Sequence, residues 1–122
     1  MRSSTAYPQL QLRVELAPGV RFGPGKADLL EGIGALGSIA GAGRRMHMSY
    51  KRAWQLVGEL NRCFDRPLVD VSKGGKGGGG ATLTPLGNTL LERYRAMQQE
   101  AQAVAAREFA PLRRRAVVVH ER

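Results

Sequence analysis

Apolar and polar positions divide this chain into one alternating stretch followed by four helical ones. From Gln9 to Leu16 the alternation is strict. Leu10, Leu12, Val14 and Leu16 point one way and Gln9, Gln11, Arg13 and Glu15 the other, which predicts a half-buried strand. Ala17-Pro18-Gly19 reads as a turn, after which Val20-Arg21-Phe22 pairs back and Gly23-Pro24-Gly25 closes a small hairpin. Lys26 to Leu36 sets Leu29, Leu30, Ile33 and Leu36 on one side of a first helix, and Gly37 is a good stop. Ser38 is placed to cap a second helix whose face of Ile39, Ala42, Gly43 and Met46 is narrow enough for close packing. Met48 and Ser49 form the next turn, with Ser49 as N-cap of a third helix carrying Ala53, Val57, Leu60 and Phe64 toward the core.

Beyond the third helix the pattern changes. Pro67 to Val71 reads as a short strand, Lys73 to Gly80 as a glycine-lysine loop, and Ala81-Thr82-Leu83 as a returning strand, together a long-tipped hairpin. Thr84 then caps a helix with Pro85 at its first position, running to about Glu108 and ended by Pro111, with Gly87 as the one weak position in its first turn. Leu86, Leu90, Tyr94, Met97, Ala101 and Val104 recur along it almost as a heptad seam. A helix of ~25 residues is about 37 Å long. That outruns a small core, so the seam is expected to pair two copies of the chain, and a two-fold dimer is the commonest arrangement.

A short helix, a turn, a second helix and a glycine-rich hairpin are the parts of a winged helix-turn-helix. The expected fold is mainly α with small β hairpins, extended by a long C-terminal dimerisation helix. The expected division is a flexible N-terminus (1–8), a winged helix-turn-helix (9–83), the dimerisation helix (84–110) and a basic tail (111–122). Arg113-Arg114-Arg115 begins that tail and an apolar run follows. It is compatible with a strand, a disordered arm or a phosphate contact.

Charge now indicates a partner. The chain of 122 residues has a formal net charge of +9 and a pI near 10.8. Eight basic residues against three acidic ones lie between Arg44 and Gly80. An anionic partner follows, nucleic acid before membrane, since no stretch approaches the roughly twenty apolar residues of a membrane span; with the winged helix-turn-helix, double-stranded DNA is the expected partner. At the start of the third helix Ser49, Tyr50, Lys51, Arg52 and Gln55 combine phosphate donors with side chains that can read base edges. Arg44 and Arg45 before the turn, and Lys73 and Lys76 in the glycine loop, are further candidates for phosphate. Trp54 reads as a packing residue that braces this helix.

Other chemistries find little support. The glycine run lacks a following Gly-Lys-Ser/Thr and leads into a strand, so it is no nucleotide cradle. His47, His120 and Cys63 have no companions at ligand or triad spacing, so neither a metal site nor an enzyme is expected. The single cysteine and the lack of an N-terminal apolar run lead to the expectation of a cytoplasmic protein. Two alternatives stay open: a sequence-tolerant nucleoid-type DNA-binding protein, and an interaction adaptor built on the long helix.

Five stretches carry a family resemblance: Leu29-Leu30 to Ser38-Ile39, Met48-Ser49-Tyr50-Lys51-Arg52-Ala53-Trp54, Glu59-Leu60-Asn61, Gly74 to Ala81, and Leu83-Thr84 to Gly87. Over Leu10 to Val104 the chain resembles the DNA-binding half of ModE-type molybdate-responsive transcriptional regulators, and more distantly the winged helices of LysR-type regulators. The resemblance implies a homodimeric, sequence-specific regulator linked to molybdate or metal homeostasis. Members that sense molybdate carry a pair of small oxyanion-binding β domains after the dimer helix. Fourteen residues, Phe109 to Arg122, stand there in this sequence. No cofactor is therefore expected in this chain, molybdate entering by resemblance only, and control through a separate effector or protein is expected.

Overall fold

Two antiparallel hairpins and four helices make up the fold, as seen in a computed structural model that describes residues 7–72 and 80–119. Strand β1 (Val14–Ala17) pairs with β2 (Val20–Phe22) through Val14 opposite Phe22 and Glu15 opposite Arg21, with an irregularity before Ala17. Helices α1 (Pro24–Leu36), α2 (Ile39–Arg45) and α3 (Tyr50–Asn61) follow. The second hairpin joins β3 (Val69–Ser72) to β4 (Gly80–Leu83), with Val69 opposite Leu83 and Ser72 opposite Gly80. Helix α4 (Pro85–Phe109) then leaves the body, and a 3-10 helix (Ala110–Arg115) continues it.

The helix boundaries have local causes. Ser38, Ser49 and Thr84 each accept a hydrogen bond on the side-chain oxygen from the backbone N–H three residues on, at Gly41, Arg52 and Gly87. Gly37 closes α1 with φ 67° and donates its N–H to the Ile33 carbonyl. The turn between α2 and α3 is different from the expected Met48-Ser49 turn. It is centred on His47, at φ 59°, whose N–H reaches the Arg44 carbonyl while the Met48 N–H reaches that of Gly43. This is a Schellman closure with histidine where glycine is usual.

The core lies where α1, α2, α3 and the second hairpin meet. Leu29, Leu30, Ile33, Leu60 and Leu68 are its largest fully buried side chains. Gly43 lets α2 and α3 approach closely, because a β-carbon there would stand 3.0 Å from that of Ala53. On α3 the buried row is Ala53, Leu56, Val57 and Leu60, while Phe64 lies beyond the helix end and is half-buried.

The first strand and the long helix also differ from expectation in part. The alternating stretch Gln9 to Leu16 becomes a strand only from Val14, and Leu10 and Leu16 are exposed. A two-stranded ribbon has no second layer to cover that side, and only Leu12 packs against the core. The α-helix does stop at Phe109, just before Pro111, and a 3-10 turn with that proline in its first turn follows it. The seam of α4 is divided. Tyr94, 3% exposed, sits in the chain's own core, edge-on to Phe22 with ring centroids 5.0 Å apart, and its hydroxyl donates to the Leu12 carbonyl. Leu86 and Leu90 also pack against that core. Tyr94 therefore belongs to the protomer's own core, Leu86 and Leu90 are half-buried against it, and Met97, Ala101 and Val104 continue outward.

Arg95 ties α4 to α1 on the far side of that contact, with its guanidinium 2.8 Å from Asp28 Oδ1 and 2.5 Å from Glu31 Oε1. Near the helix end Gln102 holds the N-terminal segment, accepting from the Leu10 N–H at 3.1 Å and donating to the Pro8 carbonyl.

Candidate nucleic-acid interface

The candidate surface is the side of α3 turned away from its buried row. Ser49 caps the helix from an extended backbone, which leaves Tyr50, Lys51 and Arg52 in the first turn, all exposed. Lys51 and Gln55, four residues apart, lie directly opposite the core row, and both are exposed. Arg52 is exposed beside them on the edge nearer Leu56. Among the described residues, the ion pairs are Arg21 with Glu15 and Arg95 with Asp28 and Glu31. Lys51, Arg52, Arg44 and Arg45 enter none of them. Among the described residues, no carboxylate lies within ion-pair distance of these four cations.

Arg44 and Arg45 occupy the last turn of α2, where a cation also favours the helix C-terminus. Arg45 borders a shallow pocket with Asp28, Glu31, Met46 and His47, and so lies toward α1. Lys73 and Lys76 fall outside the described residues. The strands that lead to them are tightly placed. Asn61, the last residue of α3, accepts on Oδ1 from the Leu68 and Val69 N–H groups at 2.8 and 3.0 Å and donates Nδ2 to the Val69 carbonyl at 3.1 Å. Thr84, which caps α4, donates its hydroxyl to the Pro67 carbonyl at 2.9 Å and its N–H to the Leu68 carbonyl at 3.0 Å. On the other side the Ala81 N–H donates to the Gly37 carbonyl at 3.0 Å. The second hairpin is thus fixed to α3, to α4 and to the α1–α2 corner.

Trp54 departs from its expected role. It is 37% exposed on the outer side of α3, and its ring meets that of Tyr50, itself 60% exposed, edge to face with centroids 6.0 Å apart. Core volume at this level is already filled by Leu56 and Val57, so the indole stays outside. Asn61 is the residue whose role periodicity missed, since a polar side chain at a helix end has no apolar signal. Its position just before the turn-rich run Arg62 to Pro67 is the trace it leaves.

No group of three or more His, Cys, Asp or Glu residues able to hold a metal occurs among the described residues, and none of their helices is long and apolar enough to cross a membrane. The Cys63 thiol donates to the Glu59 carbonyl at 3.1 Å.

Comparison with known proteins places relatives over part of the chain. No protein-family model matches the chain. Individual relatives do match. The molybdenum-pterin-binding protein MopA of Rhodobacter capsulatus is 42% identical over 83 residues, which is 68% of this chain and 31% of the relative. The DNA-binding transcriptional dual regulator ModE of Escherichia coli K12 is 35% identical over 94 residues, 77% of this chain and 36% of the relative. The transcriptional regulator ModE of Haemophilus influenzae is 33% identical over 107 residues, 85% of this chain and 42% of the relative. The chain thus spans about a third of the length of the curated relatives it matches.

Proposed function

We propose that this chain, a homologue of ModE-type transcriptional regulators over the matched region, is a homodimeric regulator that binds double-stranded DNA at a specific site, in control linked to molybdenum. The observation that carries the reading is the outer side of α3. Tyr50, Lys51, Arg52 and Gln55 stand exposed around the N-terminal end of a capped helix, and among the described residues no ion pair occupies the cations. A helix entering the major groove offers those positions to the base edges first. In this reading residues 9–83 form the reading unit, with Lys73 and Lys76 of the wing touching backbone phosphates, and Arg44 and Arg45 adding charge. The molybdenum link rests on the names of the relatives.

Pairing is assigned to residues 84–110. Met97 (39%) and Val104 (46%) are exposed along α4 with Ala101 half-buried between them, and Phe109 and Leu112 extend the apolar surface. Two chains joined there would present two reading helices, suited to half-sites about one DNA turn or a multiple apart.

The test is selection of bound duplexes from a random pool at fixed salt, with the mass of the free protein measured by sedimentation. An inverted repeat and a mass of two chains are expected. Lys51→Ala should then cost about 1–3 kcal/mol on the selected site and less on a scrambled one. A featureless pool with steep salt dependence would replace this reading with the nucleoid-type one, and a monomer that binds no duplex would leave the adaptor.

A further inference from the structure

The exposed aromatic pair on α3 has no role in the core. Tyr50 and Trp54 lie one helical turn apart, their rings in edge-to-face contact at 6.0 Å, while the buried row of the same helix is complete without them. Trp54 is the nearer of the two to Lys51 and Gln55, the residues opposite that row. The next position along the indole's side is Gly58, which has no side chain, and a β-carbon there would meet only the Arg62 guanidinium, at 3.3 Å. The indole, 37% exposed, is thus followed along its own side of the helix by the Arg62 guanidinium and flanked on the outer face by Lys51 and Gln55.

Resting on the proposed DNA-binding reading, we infer that Trp54 reads thymine through the C5-methyl group in the major groove, with Tyr50 as the positioning residue that holds the indole. Three points favour this contact. In duplex DNA the base faces are stacked and only edges are offered, so an indole cannot stack on a base from the groove. The apolar group on a major-groove edge is the thymine methyl. The neighbours of the pair are an amide and cations that enter no ion pair among the described residues, a composition that fits a polyanion, whereas the centre of a protein interface is depleted of charge.

The test removes the methyl and nothing else. In the duplex selected as above, each thymine is replaced in turn by deoxyuridine, which keeps every hydrogen-bonding group. The intact protein is expected to lose about fourfold in affinity at one thymine of each half-site, the loss that uncovering one apolar carbon brings, and to be indifferent to the others. Trp54→Ala should bind the thymine and deoxyuridine duplexes equally. Trp54→Phe, which keeps an apolar ring and lacks the indole N–H, should retain the discrimination, and circular dichroism confirms that both variants fold. A selected site with no methyl-sensitive thymine overturns the inference and leaves the regulator reading intact, as does a Trp54→Ala protein that keeps the full discrimination. A featureless pool overturns both. Because the deletion is made in the DNA, the intact protein alone decides the matter if a variant fails to fold.

Discussion

Replacing Gly87 with alanine should destabilise the protein, although helix propensity alone argues the reverse. Alanine is favoured over glycine by about 1 kcal/mol inside a helix. Gly87, however, is buried in the first turn of α4, and an added β-carbon would lie 2.2 Å from the Leu68 carbonyl oxygen and 3.1 Å from its carbon, inside contact distance by about 1 Å. Neither side can yield freely. The Leu68 carbonyl accepts the Thr84 N–H, the Thr84 hydroxyl holds Pro67, and Asn61 holds the Leu68 and Val69 N–H groups. Forcing α4 outward costs about 3 kcal/mol of overpacking and weakens one or two hydrogen bonds of about 1 kcal/mol each, so the net loss is about 3 kcal/mol. Urea unfolding followed by far-ultraviolet circular dichroism reads this as a lower midpoint at unchanged slope. Heating should show a drop on the order of 10–20 °C. Gly25→Ala is the control, because an added β-carbon there meets nothing within 4 Å. It should be neutral, or stabilising by up to about 1 kcal/mol. A Gly87→Ala protein within about 0.5 kcal/mol of the parent, inside the scatter of harmless surface changes, would refute the argument.

Asn61→Ala removes all three hydrogen bonds between α3 and the start of β3 and leaves two N–H groups unpartnered; a loss of about 2–3 kcal/mol in urea unfolding is expected. Tyr94→Phe removes the bond to the Leu12 carbonyl and should cost about 1 kcal/mol at neutral pH. Burial raises the Tyr94 pKa above its ordinary value of 10.0, outweighing the lowering effect of Arg95. The unfolded chain therefore gives up its phenol proton first, and the stability due to Tyr94 is present below pH 10 and declines as pH rises toward the folded value. Denaturation from pH 8 to 11 should show this decline in the parent and a shallower one in Tyr94→Phe.

How much of this was legible in the residues depended on the range of the interaction that fixes them. The caps at Ser38, Ser49 and Thr84, the stop at Gly37 and the proline that opens α4 act within a few residues, and each stands where the sequence placed it. Ala53, Val57 and Leu60 were readable because one helix buries them together. Long-range packing hid the rest. Tyr94 looked like part of an intersubunit seam because nothing nearby in sequence reveals that Phe22, some seventy residues earlier, comes to lie against it. Trp54 reads as a packing residue because it sits one position past the core stripe, yet that offset from Ala53, Leu56, Val57 and Leu60 leaves it 37% exposed. Gly87 looked like a weakness for want of knowing that the Leu68 carbonyl passes over it. At the candidate interface, the order Ser49, Tyr50, Lys51, Arg52 was plain, while the exposure of the cations and of the indole required the fold.

Pro67, Leu68 and Val69 are hydrogen-bonded both to Asn61, the last residue of α3, and to Thr84, the residue that caps α4. One short run of backbone is thus the common fulcrum of the reading helix, the wing and the long helix. A swivel of α4 about its first turn would strain those bonds and so pull on β3 and on the end of α3. In a pair of chains the angle between the two long helices would then set the span between the reading helices, much as the pivot of a pair of calipers sets the gap at its tips.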